Sequence, residues 1–291
     1  IKDIIKGFKT ESRGKLIFPC GAGKTLTSLW LKEKMKAKRT LVLVPSLALL
    51  RQIKNEWREQ KRSDFNYFCV CSEKDIDRDK ATKHDIFSGS IYELGASGLG
   101  VTTDSKTIRN YLKTPGDVVV FSTYQSTPEL VKALKGQKFA FDLAICDEAH
   151  KTATKKESSF ATIHDDKKIK VKKRLYMTAT PRIISETVTN SRGKDVTKYI
   201  ADMNNPHIYG DEFHRMSFAQ AIKEKILVDY KIVAIGVSNK ELEKKIKKRD
   251  FVEGEGFDTL EERANHIALK KAMTKYKATH AITFHSSIEK A

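Results

Sequence analysis

The chain has 291 residues, of which 40% are hydrophobic and 32% charged, with 55 Lys and Arg against 37 Asp and Glu and a formal net charge of +18. That much apolar material supports a core in one large or two modest domains, and no apolar run approaches the ~18 residues of a membrane span. A membrane protein is therefore not expected, and the cationic excess favours a polyanionic partner, although a lysine-rich surface without function produces the same charge. No signal peptide is recognised, and Cys20, Cys69, Cys71 and Cys146 form no C-x-x-C pair. All four read as reduced, zinc is not expected, and a cytoplasmic location follows.

In chain order, Lys15 to Phe18 reads as a strand running into a glycine-containing loop. A helix is expected from about Lys24, with Leu26, Leu29, Trp30 and Met35 toward the core. Thr40 to Pro45 is the next strand, and Ser46 is placed to cap a helix carrying Leu47, Leu50, Ile53 and Trp57 at helical spacing. Further strands are expected over Asn66 to Ser72, Asp117 to Thr123, Phe141 to Asp147 and Arg174 to Thr180. These runs lack clean two-residue alternation, as strands do when helices cover both faces of their sheet. Strands interleaved with helices predict an α/β fold with a parallel, doubly wound sheet.

Two polar stretches interrupt the pattern, at 73–113, where Ser105 to Leu112 is expected to be helical, and at 186–205, expected to be a loop. Ser217 is placed to cap a helix through Lys225. Tyr230 to Val237 then reads as a strand, 261–277 as a helix and Ala281 to Phe284 as a strand-like run. The expected division is a first domain over 1–225 and, over 226–291, the incomplete start of a second.

Pro19-Cys20-Gly21-Ala22-Gly23-Lys24-Thr25 lies between the first strand and its helix. Gly21 and Gly23 let the backbone curl closely around a phosphate, and the helix aims its positive N-terminal end at the same anion. Lys24 is expected to reach the β and γ phosphates and the Thr25 hydroxyl to ligate magnesium. Gly21, Ala22, Gly23, Lys24, Thr25 and Leu26 are thus the candidate contacts for ATP with Mg2+. The full phosphate-loop pattern has a glycine where this chain has Phe18. A chance turn opening a helix is the bland alternative.

Asp147 and Glu148 follow the apolar run Phe141 to Cys146, which delivers two carboxylates to the C-terminal sheet edge, where α/β proteins bind ligands. Asp147 is expected to hold the metal with Thr25, and Glu148 to orient or deprotonate the attacking water. Glu148, Lys24 and Asp147 are the catalytic candidates. A lone histidine is more often structural, but within Asp147-Glu148-Ala149-His150 the imidazole is expected to couple the nucleotide site to Thr178 and Thr180. Together these groups point to a nucleic-acid-stimulated ATPase.

With Leu43-Val44-Pro45-Ser46, Ser122-Thr123-Tyr124-Gln125, Met177-Thr178-Ala179-Thr180-Pro181 and Ile282-Thr283-Phe284-His285-Ser286 in the same order, the chain resembles superfamily 2 helicases of the DEAD/DEAH-box-like class. Longer phrases, Leu43 to Leu50, Phe121 to Ser126, Lys173 to Arg182 and Tyr209 to His214, are similar to motor modules of type ISP restriction enzymes and to helicases of phages and mobile elements. The resemblance implies a RecA-like P-loop domain followed by the start of a second. It also implies a helicase or double-stranded DNA translocase within a restriction or other DNA-processing system. A viral or mobile-element replication helicase is the alternative, as is a nucleotide- and DNA-binding module without efficient turnover. The resemblance further implies that Pro45, Ser46, Ser122, Thr123 and Tyr124 line the track along one strand's phosphates; strand-to-helix capping is their bland role. Lys167 to Arg174 is basic, as a solvated face or as a nucleic-acid contact. An adenine-reading Q motif, motifs V and VI with their arginine finger, and nuclease and methyltransferase domains are expected in a longer parent chain. RNA in place of DNA stays open.

Overall fold

The computed structural model describes residues 1–71, 100–154, 157–183, 188–189, 195–196, 202–230, 233–234 and 260–283. Ile4 and Phe8 are four residues apart, so helix α1 (Lys2–Thr10) buries them on one stripe and keeps its lysines in water. Strand β1 (Arg13–Ile17) then enters the glycine loop, and α2 (Lys24–Met35) leaves it. The chain continues through β2 (Arg39–Val44), α3 (Leu47–Gln60) and β3 (Asn66–Val70). After residues 72–99, which lie outside the described residues, come α4 (Ser105–Leu112), β4 (Val118–Thr123), α5 (Thr127–Leu134) and β5 (Phe141–Cys146). Two 3-10 turns, Ala149–Thr152 and Ser159–His164, lead to β6 (Val171–Thr178).

Seven strands, the last of them β9 (Asp211–Arg215), form one sheet in the order β3-β4-β2-β5-β6-β1-β9, and every pairing in it is parallel. Leu41 and Leu43 of β2 join the apolar cluster on one face, and Val42 and Val44 join the cluster on the other. Both faces are therefore dry, which is why the strands read as continuous apolar runs. In α2 the buried residues are Ser28, Leu29, Leu31 and Lys32. Trp30 and Met35 pack partly buried against the core, whereas Leu26 is only half-buried and lies outside it.

The seventh strand, β9 (Asp211–Arg215), was not expected from sequence. Apart from Phe213 its residues are polar, and none is more than half-buried, because it is the edge strand beside β1. It is reached through a one-turn helix, α6 (Pro206–Tyr209), and Gly210 at φ 70°. A Cβ at Gly210 would lie 1.9 Å from the Arg13 carbonyl oxygen, so only glycine fits that approach. Phe213 inserts between α1 and β1, edge-on to Phe8 at 5.0 Å between centroids.

Other expectations change. The stretch 186–205 holds a short antiparallel pair, β7 (Val188–Thr189) with β8 (Asp195–Val196). Within Tyr230 to Val237, the described residues Tyr230, Val233 and Ala234 are not in a strand, and the rest lie outside the described residues. Ala281, Ile282 and Thr283 carry no strand either, and Ile282 is 86% exposed. Compact units span Ile1–Val228 and Asp229–Ala291. The first ends after α7 (Phe218–Lys223), capped by the Ser217 hydroxyl, and the second contains α8 (Leu260–Tyr276).

The basic run 167–174 divides. Lys172 pairs with Asp142 at 2.8 Å. The Lys173 ammonium donates to the Phe8 and Glu11 carbonyls at the end of α1. Arg174 is 1% exposed and donates to the Ile163, Val171 and Ile169 carbonyls and to Asp166. These three side chains are latches of the fold.

Candidate nucleotide site

The C-terminal ends of all strands in a parallel sheet lie at one edge, and the neighbours β4, β2, β5, β6 and β1 bring the predicted segments together there. The loop after β1 carries Gly21 at φ 79° and Gly23 at φ 84°, both in the left-handed region that glycine tolerates. Gly23 caps α2, and its carbonyl accepts the Thr27 N–H at 2.9 Å. A Cβ on Gly23 would meet nothing within 4 Å, so its surroundings are open, whereas one on Gly21 would lie 3.1 Å from Leu227 Cδ2. Lys24 Nζ donates to the Phe18 and Pro19 carbonyls, each at 3.3 Å, which folds the ammonium across the loop. Phe18 N–H bonds the Thr178 carbonyl at 3.1 Å and so joins the loop to the end of β6.

Asp147 leaves β5 with its N–H on the Leu43 carbonyl at 2.9 Å. Its side chain is buried, and Oδ1 has no hydrogen-bond partner. Burial, then the neighbouring Glu148 charge, push its pKa up to about 6, while Lys24 opposes them. A buried carboxylate oxygen with nothing to satisfy it is suited to a cation. Among the described residues no group of three His, Cys, Asp or Glu side chains is arranged to hold a metal ion by itself. A cation here would draw few protein ligands, as magnesium at phosphate sites does.

Glu148 takes φ 47° and ψ 45°, and this left-handed turn swings its carboxylate beside His150, with Oε2 3.3 Å from Nδ1. The same Nδ1 lies 2.9 Å from Thr178 Oγ1. Burial lowers the His150 pKa more than Glu148 raises it, which favours the neutral ring. Thr178 Oγ1 accepts the Thr180 N–H at 3.1 Å and can donate to the Thr180 carbonyl at 3.3 Å. We assign the imidazole proton to Nδ1, because Thr178 Oγ1 then receives His150 and Thr180 and gives its own proton onward.

The residues expected along the track are placed differently from one another. Ser46 is half-buried, and its hydroxyl caps α3 by accepting the Leu49 N–H at 3.3 Å. Pro45 is buried, with its carbonyl on Gln125 Nε2 at 3.0 Å. Ser122, Thr123 and Tyr124 are fully buried because β4 is covered on both faces. Ser122 Oγ donates to the Thr123 carbonyl at 3.0 Å, and Tyr124 OH to the Asp147 carbonyl at 2.9 Å. Tyr124 is thus a strut beneath the acidic pair, a role that sequence spacing does not reveal. In this arrangement direct side-chain contact with phosphates from Ser122, Thr123 and Tyr124 is disfavoured. Ala22, between the two loop glycines, and Leu26, in the first turn of α2, are each half-buried.

The parallel sheet, glycine loop and acidic strand end define a RecA-like helicase motor domain of superfamily 2. The chain belongs to the family described as type III restriction enzyme, res subunit, which it matches over residues 1–183. Among solved structures it is similar to the "ATP-dependent Type ISP restriction-modification enzyme LlaBIII bound to DNA", with TM-score 0.72 and 28% identity over 97% of this chain and 19% of that one. It is also similar to a nuclease-deletion mutant of the type ISP enzyme LlaGI in complex with a DNA substrate mimic, with TM-score 0.58 and 28% identity over 99% of this chain and 24% of that one. "Probable helicase A859L" of African swine fever virus is 28% identical over 174 residues, 60% of this chain and 18% of the viral protein. The chain therefore spans about a fifth of the length of these relatives. No helix among the described residues is long and apolar enough to cross a membrane.

Proposed function

We propose that this chain is the ATP-hydrolysing part of a DNA motor, a double-stranded DNA translocase core acting within a restriction or other DNA-processing system. The observation that carries the reading is the convergence of the glycine loop, Asp147, Glu148, His150 and Thr178 on one sheet edge. ATP with Mg2+ would supply the cleavable phosphoanhydride bond. Gly21, Ala22, Gly23 and Leu26 shape the phosphate cradle, and Lys24 brings the cation that neutralises phosphate charge. Thr25 and Asp147 would hold the metal, and the orphaned Asp147 Oδ1 is the oxygen suited to it. Glu148 takes the proton of the attacking water. His150 holds Glu148 and Thr178 in one network, so a change at the phosphate side reaches the end of β6. Ser46, at the mouth of β2, is the track residue best placed to meet a phosphate, because its side chain is accessible. Pro45, Ser122, Thr123 and Tyr124 support the track from within.

The type ISP relatives, which are described with DNA, and the +18 charge support DNA as the partner. A full-length parent should displace a triplex-forming strand ahead of it without separating the duplex. Strand separation instead would favour a replication helicase, the reading to which the viral relative lends weight. The two units, with the boundary near residue 228, would be a first motor domain and the start of a second.

A further inference from the structure

The 3-10 turn Ala149–Thr152 contains His150 and follows the left-handed Glu148, so the placement of this turn sets where both side chains stand. Hydrogen bonds inside a 3-10 turn have poor geometry, and so short a turn depends on partners outside it. Thr152 is fully buried. Its hydroxyl donates to the Ala149 carbonyl at 2.7 Å, and the same oxygen lies 3.0 Å from the Tyr209 hydroxyl. A threonine hydroxyl has one proton and two lone pairs. That proton is committed to Ala149, so Tyr209 is the donor in the second bond. The Thr152 carbonyl is held as well, 3.3 Å from His164 Nε2. A carbonyl only accepts, so Nε2 bears the ring proton and Nδ1 accepts from Tyr176 OH at 3.0 Å. Every proton in this network therefore points toward the turn.

Tyr209 is itself fixed. Its ring is fully buried and stands edge-on to His164 and to Tyr176, with 4.9 Å between centroids in each pair. The Ile208 carbonyl before it accepts from Arg13 Nη1 at 3.1 Å, and Gly210 after it is pressed against the Arg13 carbonyl. Arg13 opens β1, the strand that runs into the glycine loop. The Tyr209 side chain thus ties the turn behind Glu148 to the strand that carries the loop.

We propose that Tyr209 is a positioning residue for ATP hydrolysis: its hydroxyl, acting through Thr152, holds the 149–152 turn so that Glu148 and His150 stay aligned with the glycine loop. This rests on the ATPase reading above. Without the Tyr209 donor, the Thr152 hydroxyl keeps only its bond within the turn, and the turn loses its tie to β1. The effect falls on the chemical step, because Tyr209 lies beneath the turn and away from the loop residues that would bind phosphate.

The test is DNA-stimulated ATP turnover by the full-length parent, with ATP–Mg2+ affinity measured by calorimetry on the same protein. Tyr209→Phe keeps the ring and removes the donor. It should lower kcat by ~10–100-fold, the scale on which a small displacement of a catalytic group acts, and leave KM and the calorimetric Kd unchanged. Thr152→Val, which removes the relaying oxygen, should match it, and Thr152→Ser should keep most of the rate. In a Thr152→Val background, Tyr209→Phe should add nothing. A folded Tyr209→Phe variant with unchanged kcat, a loss shared equally by Kd, or losses that multiply in the double variant would each overturn the proposal. If Tyr209→Phe does not fold, Thr152→Val beside Thr152→Ser decides the matter, and equal rates from those two would overturn it. If the unsubstituted parent turned over no ATP, the ATPase reading itself would fall, a result distinct from these.

Discussion

Glu148 occupies a backbone conformation that residues other than glycine, asparagine and aspartate seldom take, and such strain costs on the order of 1 kcal/mol. The turn is held because Glu148 then reaches His150, and His150 reaches Thr178. Glu148→Gln keeps the shape and removes the base. We expect it to bind ATP as the unchanged protein does and to lose phosphate release in the full-length parent; an equal loss of ATP affinity would make Glu148 a metal ligand. The Lys24 ammonium is held by the Phe18 and Pro19 carbonyls of the loop, so Lys24→Ala should abolish ATP–Mg2+ binding in calorimetry while leaving the melting curve in place. His164 offers a test away from the site. Its ring bonds Tyr176 OH at 3.0 Å and the Thr152 carbonyl at 3.3 Å, and burial, with Arg13 and Arg174 nearby, lowers its pKa to about 4. The folded-state pKa lies below the unfolded one, so the neutral ring contributes stability above pH ~6.5 that is lost as pH falls toward 4. Up to about 3 kcal/mol is at stake in that window. His164→Gln should be less stable at pH 7 but lose less than the unchanged protein between pH 7 and 4.5 in urea melts. Parallel slopes would show that other groups carry the acid sensitivity.

At the scale of elements, β9 is held by shape more than by hydrophobic pattern. A Cβ at Gly14 would fall 2.1 Å from the Phe213 ring, and one at Gly7 would fall 2.3 Å from it. Two glycines, on β1 and on α1, thus make the slot into which a single aromatic of the edge strand fits. Gly14→Ala should destabilise the chain by ~1–3 kcal/mol, the usual cost of overpacking. In a Phe213→Ala background most of that penalty should vanish; a penalty that stays would place its cause in the backbone of β1. The His214 imidazole adds a 2.7 Å bond to Asp3, so α1 and β9 brace each other as well as β1. Bracing β1 also braces the glycine loop, because Met216 N–H bonds the Ile17 carbonyl at the mouth of the loop.

For the whole molecule, strand order places groups far apart in sequence at one edge, and the surface carries a large cationic excess. Duplex binding should therefore be weak, independent of sequence and steeply salt-dependent, falling by orders of magnitude between ~50 and 200 mM salt if several phosphates are contacted. Fluorescence anisotropy on two unrelated duplexes across that range checks it. Affinity that is flat with salt, or confined to one duplex, would count against a backbone-tracking motor.

The sequence by itself determined the α/β class, six of the seven sheet strands and which polar segments stand at the strand ends. Buried strands must be short apolar runs, and a phosphate loop needs glycines immediately before a helix, so both are visible in neighbouring residues. The Asp147-Glu148-Ala149-His150 segment was legible for the same reason, since its strand delivers it. The tertiary structure alone decided the roles that depend on non-local partners. Tyr124 became a strut under Asp147 because β2 brings β4 and β5 to either side of itself. Lys173 and Arg174 became latches because α1 and the 3-10 turn at Ser159–His164 present carbonyls to them. The strand β9 was hidden because an edge strand needs no apolar pattern; what selects it is a slot built by two distant glycines. A side chain's chemistry is local, but its burial and its hydrogen-bond partners are set by which strands become neighbours.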